Sequence, residues 1–156
     1  MNEEYKLVSI KDIQQKSSLK DFDCEINVLN DFLSKYALKN DKIGIGYFTL
    51  ATAQVAYQEI PDDYRGKLPK YPIPALRIAR LAVDKELEGK GVGKWLLAQA
   101  FIKIIQVADV TGIYFIIVDA KETSKSFYEH YGFIKFKDED LTYFILVDTV
   151  RKAIQG

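Results

Sequence analysis

Gly89, Gly91 and Gly93 alternate with Lys90 and Val92 and are followed by Lys94, within a segment over 80–94 that reads RLAVDKELEGKGVGK. The pattern before them is that of a strand, and the pattern after them is that of a helix. Glycines at such a junction let successive backbone N–H groups turn toward one point, and the helix N-terminus adds about half a positive charge there. The chemistry this predicts is anion binding by backbone. Two phosphate motifs are excluded on residues: the dinucleotide fingerprint needs glycine where Lys94 stands, and the P-loop needs Ser or Thr after Gly-Lys, where Trp95 stands. A glycine-rich turn without a ligand is the alternative that the loop alone leaves open.

The titratable residues are less distinctive. The only histidine, His130, follows Tyr128 by two positions and lies on another helix face, which favours a solvated histidine over a base. Arg77 and Arg80 are an odd number of strand residues apart, so they point to opposite faces unless a bulge intervenes. Both read as ion-pair partners, and Arg80 also as a ligand for an anionic substrate group. Lys35, Lys39, Lys42, Arg65, Lys67 and Lys70 are candidates for a basic rim, with a solvated face as the alternative for most. No metal site is expected.

These residues need elements to place them. Residues 5–10 read as a first strand, and Ile26, Leu29, Phe32, Leu33, Tyr36 and Ala37 recur at helical spacing in an amphipathic helix. Residues 45–55 lack that period and read as a strand. Pro61, Pro69, Pro72 and Pro74 forbid a regular helix over 57–74 and make it the longest loop. Residues 75–83 read as the strand before the glycines. Leu96, Leu97, Ala100, Phe101, Ile104, Ile105 and Ala108 mark one face of the helix after them. Residues 113–118 are nearly all apolar, as a strand covered on both faces at the sheet centre requires. A short helix is predicted over 124–131, with Thr123 or Ser124 as N-cap and Gly132 as a left-handed C-cap. Strands over 133–136 and 142–147 and a last helix over 149–155 complete the order. With no repeat, linker or low-complexity tract, residues 1–156 are expected to form a single domain.

At 156 residues, 48% hydrophobic and 28% charged, the chain has material for one packed core and a polar surface. Its 22 basic residues balance 22 acidic ones, so no global positive field announces a nucleic acid or a membrane. Cys24 is the only cysteine, and the start MNEEYKLVSI lacks the regions of a signal peptide, so a cytoplasmic protein without an internal disulfide is expected. The longest apolar run, over 114–118, is far short of the ~20 residues of a membrane-spanning helix.

The run EGKGVG over 88–93 resembles the acetyl-CoA loop of the GNAT superfamily, written Gln/Arg-x-x-Gly-x-Gly/Ala. Its first position is the acidic Glu88, with Lys90 and Lys94 nearby to offset the charge. SKSFYEHYGF over 124–133 resembles the superfamily's segment after the fifth strand, and the likeness in element order covers about 22–147. FDCEINVLNDFL, YFTLATAQV, PIPALRIARLAVD and FYEHYGF are similar to the toxin-type GNAT enzymes encoded beside ribbon-helix-helix antitoxins, which acetylate the amino group of aminoacyl-tRNA. Those enzymes carry a strand-turn-strand before the YxxLA strand, where this chain has only KNDKIGIG.

The resemblance implies an α/β (α+β) GNAT fold: a mixed, mostly antiparallel sheet with a splayed parallel strand pair and helices on both faces. It implies acetyl-CoA as co-substrate, with the pyrophosphate on the backbone of Gly89, Lys90, Gly91, Val92, Gly93 and Lys94. Leu81, Ala82 and Val83 would pair with the pantetheine arm, and Ser124 is a further cofactor contact. Acetyl transfer needs a donor for the oxyanion and an acid for the departing thiolate. The resemblance assigns these to the N–H of Val83 and to Tyr128, a phenol with an ordinary pKa of ~10. Without the resemblance, Tyr128 reads as core packing with Phe127 and Tyr131. The amino group of an aminoacyl ester is partly neutral near pH 7, so no dedicated base is needed, and Glu59 and Asp62 are candidates for relaying a proton through water. Arg80 is the substrate candidate. The acceptor implied is the amine of aminoacyl-tRNA. A small amine, a protein amino group, or a non-catalytic acetyl-CoA-binding module are the alternatives. A ribbon-helix-helix antitoxin is the implied protein partner, and homodimerisation is left open.

Overall fold

The computed structural model describes residues 46–66, 68, 70–137 and 139–155. The strand expected over 5–10, the helix carrying Ile26 to Ala37 and nearly all of KNDKIGIG lie outside the described residues. Among the described residues, five strands, β1 (Gly46–Val55), β2 (Ile73–Val83), β3 (Phe115–Asp119), β4 (Ile134–Lys135) and β5 (Thr142–Leu146), form a sheet in the order β1-β2-β3-β5-β4. The helices are α1 (Asp62–Arg65), α2 (Val92–Ala108), α3 (Lys125–His130) and α4 (Val147–Gln155). β3 is central, and Phe115, Ile116, Ile117 and Val118 are all buried, as its continuous apolar run demands.

β2 and β3 run parallel in the register Ala75↔Phe115 to Ile78↔Val118, and β2 continues beyond that register to Val83. β5 is antiparallel to β3, from Phe115↔Leu146 to Asp119↔Thr142, and β4 is antiparallel to β5. Two compact units divide the described residues: 46–48 with 81–99, and 49–80 with 100–155.

In the second unit, Val55, Ile60, Ile73, Ala75, Phe115, Ile117, Phe136 and Phe144 form one core cluster. Phe144 meets Phe115 and Tyr64 edge to face at 5.5 Å and Phe136 at 4.8 Å. Burying each such side chain stabilises the fold by about 1.5–3 kcal/mol. Strand alternation turns Tyr143 and Ile145 to the opposite face of β5, against α3. There a Cβ added to Gly132 would lie 3.6 Å from Ile145 Cδ1, and the Tyr143 hydroxyl donates to Glu129 Oε1 at 3.3 Å.

In the first unit, Gly46 is fixed by close approach. A Cβ there would stand 2.8 Å from the Ala82 carbonyl oxygen and 2.6 Å from Leu96 Cδ1, so only glycine lets the start of β1 pass.

The expectation for 57–74 is corrected. Tyr57–Glu59 forms a 3₁₀ turn, and α1 makes one helical turn with Pro61 at its N-cap. A proline in that position removes no helical bond, because an N-cap N–H has no partner within the helix. α4 starts at Val147, two residues earlier than the periodicity predicts. Among the described residues, no helix is long and apolar enough to cross a membrane.

Candidate active site

β2 delivers Leu81, Ala82 and Val83 to the glycine turn, with Ala82 buried and its neighbours half-buried. The Asp84 carboxylate accepts the Glu86 N–H at 3.0 Å and so caps a 3₁₀ turn over Lys85–Leu87. The N–H groups of Glu88 and Lys90 donate to the carbonyls of Lys85 and Leu87, each at 3.3 Å. Gly89 and Gly91 have φ of +77° and +85°, a region that costs an L side chain roughly 1–2 kcal/mol. The Trp95 N–H donates to the Gly91 carbonyl at 3.0 Å, so α2 begins directly after that glycine. Gly93 and Lys94, expected in the turn, therefore belong to the first turn of α2.

N–H groups in a first helical turn have no acceptor within the helix and are available to an anion. Val92 is buried and anchors the helix start, while Glu88, Gly89, Lys90, Gly91 and Lys94 are exposed. Among the described residues, no atom other than those of the chain neighbours lies within 4 Å of where a Cβ of Gly89 or Gly91 would stand. Open backbone, a helix N-terminus and two lysines fit a pyrophosphate.

α3, of six residues, carries Tyr128. Ser124 stands at its N-cap, but the hydroxyl turns back, accepting the Lys121 N–H at 2.9 Å and donating to the Lys121 carbonyl at 3.2 Å. Gly132 closes the helix at φ +92°, with the Phe133 N–H donating to the Tyr128 carbonyl at 3.1 Å. Tyr128 is 5% exposed and lies edge-on to Phe127 at 5.2 Å and Phe133 at 5.4 Å; Phe133 in turn stacks on Phe101 at 5.9 Å. The packing reading of Tyr128 is what these contacts show, and this aromatic wall desolvates the phenol.

Burial pushes that phenol up to about 12, above the ordinary value. It remains protonated at physiological pH. Complete transfer of its proton to a thiolate with an ordinary pKa of ~8.5 would be uphill by about 5 kcal/mol. A phenol in this state can donate a hydrogen bond but is a poor source of a free proton.

Arg77 is ion-paired with Asp119, whose other oxygen accepts from Thr142 Oγ1 at 3.2 Å, so the ion-pair reading holds for this arginine. Arg80 is half-buried and shares the parity of Ile78 and Ala82 along β2. Arg65 leaves the basic rim. Its Nε donates to the Ile60 carbonyl and its Nη2 to the Gln58 carbonyl, both at 2.9 Å, while Nη1 pairs with Asp62 at 3.0 Å and the guanidinium lies 5.2 Å from the Tyr57 ring centroid. Asp62, whose side chain is 78% exposed, also lies 4.0 Å from Lys137 Nζ. Glu59 and Lys70 are exposed, and so is His130, whose ring lies against Tyr131 at 4.8 Å. Lys35, Lys39, Lys42 and Lys67 lie outside the described residues. Three features escape a reading of the sequence: Gly46, the Arg65 contacts and the Tyr143–Glu129 bond. Only Gly46 carries a local signal, as a glycine inside a strand.

A family model described as an acetyltransferase (GNAT) domain matches residues 36–135. The chain belongs to the GNAT acetyltransferase family. The mixed sheet with its parallel β2–β3 pair is the GNAT fold that the resemblance implies. A tRNA-acetylating toxin of Mycobacterium tuberculosis is 31% identical over 140 residues, covering 81% of this chain and 84% of the relative. Among solved structures, AtaT complexed with acetyl-methionyl-tRNAfMet is 25% identical with a TM-score of 0.77, over 87% of this chain and 91% of AtaT. AtaTR bound with AcCoA is 25% identical with a TM-score of 0.72, over 87% and 90%. As a GNAT member, the chain is an acetyl-CoA-dependent acetyltransferase.

Proposed function

We propose that the chain transfers acetyl from acetyl-CoA to the amino group of aminoacyl-tRNA, as the toxin of a pair with a ribbon-helix-helix antitoxin, and that residues 1–156 act as one domain. The observation that carries the cofactor half is the turn in which positive-φ Gly89 and Gly91 open directly into α2. The acceptor half is supported by the 31% identity to a tRNA-acetylating toxin and the likeness to AtaT with its acetylated tRNA. The acceptor sets the compartment as the cytoplasm.

When bound, acetyl-CoA supplies the acetyl group as a thioester. The backbone N–H groups of Gly89, Gly91, Val92, Gly93 and Lys94 hold the pyrophosphate, Lys90, whose N–H goes to the Leu87 carbonyl, adds its ammonium, and Ser124 becomes a further cofactor contact by releasing its hydroxyl from Lys121. Leu81, Ala82 and Val83 offer strand backbone to the pantetheine arm. The Val83 N–H donates to the carbonyl oxygen as it gains charge, and the Tyr128 hydroxyl donates to the sulfur as the C–S bond breaks. A C–N bond forms, and the proton that completes the thiol comes from the attacking amine. Arg80 holds an anionic part of the acceptor.

Incubation with labelled acetyl-CoA and charged tRNA, followed by nuclease digestion and mass spectrometry, tests this reading. An acetylated aminoacyl ester is expected from charged tRNA, with no label on deacylated tRNA. Labelled small amines or protein amino groups with untouched charged tRNA would move the acceptor to those classes.

A further inference from the structure

Six residues form too short a helix to hold its own orientation, since isolated helices below about 12 residues are marginal in water. α3 must be oriented from outside. On the buried side it has Tyr128, whose ring is positioned by Phe133 and Phe127. At the next residue, Glu129, it has a polar tether: the Tyr143 hydroxyl of β5 donates to Glu129 Oε1 at 3.3 Å. Tyr143 is 3% exposed, and its register partners Val118 and Lys135 hold it within the paired part of the sheet. Two residues along the same face, Ile145 supports the Gly132 end of the helix. An apolar contact tolerates rotation of the helix about its axis; a directional bond from a sheet residue resists it. Burial raises the Tyr143 phenol and the carboxylate of Glu129 pushes it the same way, so the hydroxyl stays a donor.

We propose that Tyr143 is a positioning residue for Tyr128, acting through its hydrogen bond to Glu129 to fix the rotation of α3 and so the direction of the Tyr128 hydroxyl. The proposal rests on the reading of Tyr128 as the donor to sulfur. Tyr143→Phe deletes one oxygen and keeps the ring in the sheet. Glu129→Gln keeps an acceptor, and Glu129→Ala removes it.

Turnover of each variant is measured in the wild-type and the Tyr128→Phe backgrounds, with KM for acetyl-CoA and the melting temperature alongside. Tyr143→Phe and Glu129→Ala should each lower kcat about tenfold at unchanged KM, since small misplacements of a catalytic group cost one to two decades. Glu129→Gln should retain most of kcat. In the Tyr128→Phe background, neither Tyr143→Phe nor Glu129→Ala should lower kcat further. An equal loss in both backgrounds, or full kcat in Tyr143→Phe while Tyr128→Phe is impaired, overturns the positioning role. Full kcat in Tyr128→Phe itself overturns the reading of Tyr128 on which it rests.

Discussion

The Trp95 N–H and the Gly91 carbonyl are joined at 3.0 Å, and this bond sets the first turn of α2 immediately after a glycine at φ +85°. Gly91 therefore has two duties, a left-handed backbone and an uncovered one. Gly91→Asn keeps much of the first, because asparagine tolerates positive φ better than other residues, while Gly91→Asp adds a carboxylate where a pyrophosphate is proposed to lie. In wild type, acetyl-CoA at 100 times its Kd should stabilise the fold by about 2.7 kcal/mol, visible as a rise in Tm. The rise should vanish in Gly91→Asp and shrink in Gly91→Asn, with comparable Tm values for the two free proteins. An undiminished rise in Gly91→Asp would remove this turn from the cofactor site.

Tyr128 should leave a signature in alkaline stability. The folded phenol titrates at about 12 and the unfolded one at ~10, so below pH ~10 both are protonated and the folded state loses nothing. Between pH ~10 and ~12 only the unfolded chain gains the charge, and stability falls by up to about 2.7 kcal/mol. Urea unfolding of wild type and Tyr128→Phe across that window should show the steeper fall in wild type. Turnover of Tyr128→Phe should drop by about 10²-fold, and the wild-type profile should show no loss near pH 10 from this group. Parallel stability curves would mean that the phenol is not desolvated.

Legibility followed the range of each interaction. The strand-turn-helix around Gly91, the buried β3 and the Gly132 cap depend on residues close in sequence, whose types and spacing display them. Arg77 and Asp119 are 42 residues apart, and nothing in either residue names the other. Arg65 looks like any surface arginine until α1 folds its guanidinium back onto the carbonyls of Ile60 and Gln58. Tyr128 was legible as a residue through the family pattern, but its raised pKa was not, because it comes from packing by Phe133 and Phe127. Ser124 carried a capping signal, yet its hydroxyl satisfies Lys121 instead.

Arg65 should matter for the stability of 57–66 far more than its position suggests. Arg65→Ala leaves the Ile60 carbonyl, part-buried, without its side-chain donor while the exposed Gln58 carbonyl turns to water, at a cost of about 1 kcal/mol. Arg65→Lys should recover little, since one ammonium cannot reproduce the fork of donors. Asp62→Ala removes only exposed pairs, with Arg65 and Lys137, each worth roughly 0.2–1 kcal/mol. Urea midpoints and the rate of proteolysis within 57–66 order the three variants. Lysine matching arginine in both assays would reduce the guanidinium contacts to simple charge.

The acceptor can be tested by salt. With 22 basic and 22 acidic residues the chain has no global field to draw in RNA, so binding to charged tRNA has to come from local pairing of cations with phosphates. Each phosphate neutralised in this way contributes ~0.7–0.9 to the slope of log affinity against log salt. Lys70, exposed beside β2, and Lys35, Lys39 and Lys67, candidates by sequence, are the residues to reverse. Replacing two or three of them by Glu should lower the slope by that amount for every phosphate no longer neutralised and weaken acetylation of charged tRNA. Acetylation of a free small amine should be unchanged, because the glycine turn and Tyr128 are left intact. A slope that stays the same in the reversed protein would place RNA recognition elsewhere. A fall in both activities together would show that these lysines serve the cofactor or the fold instead of the RNA.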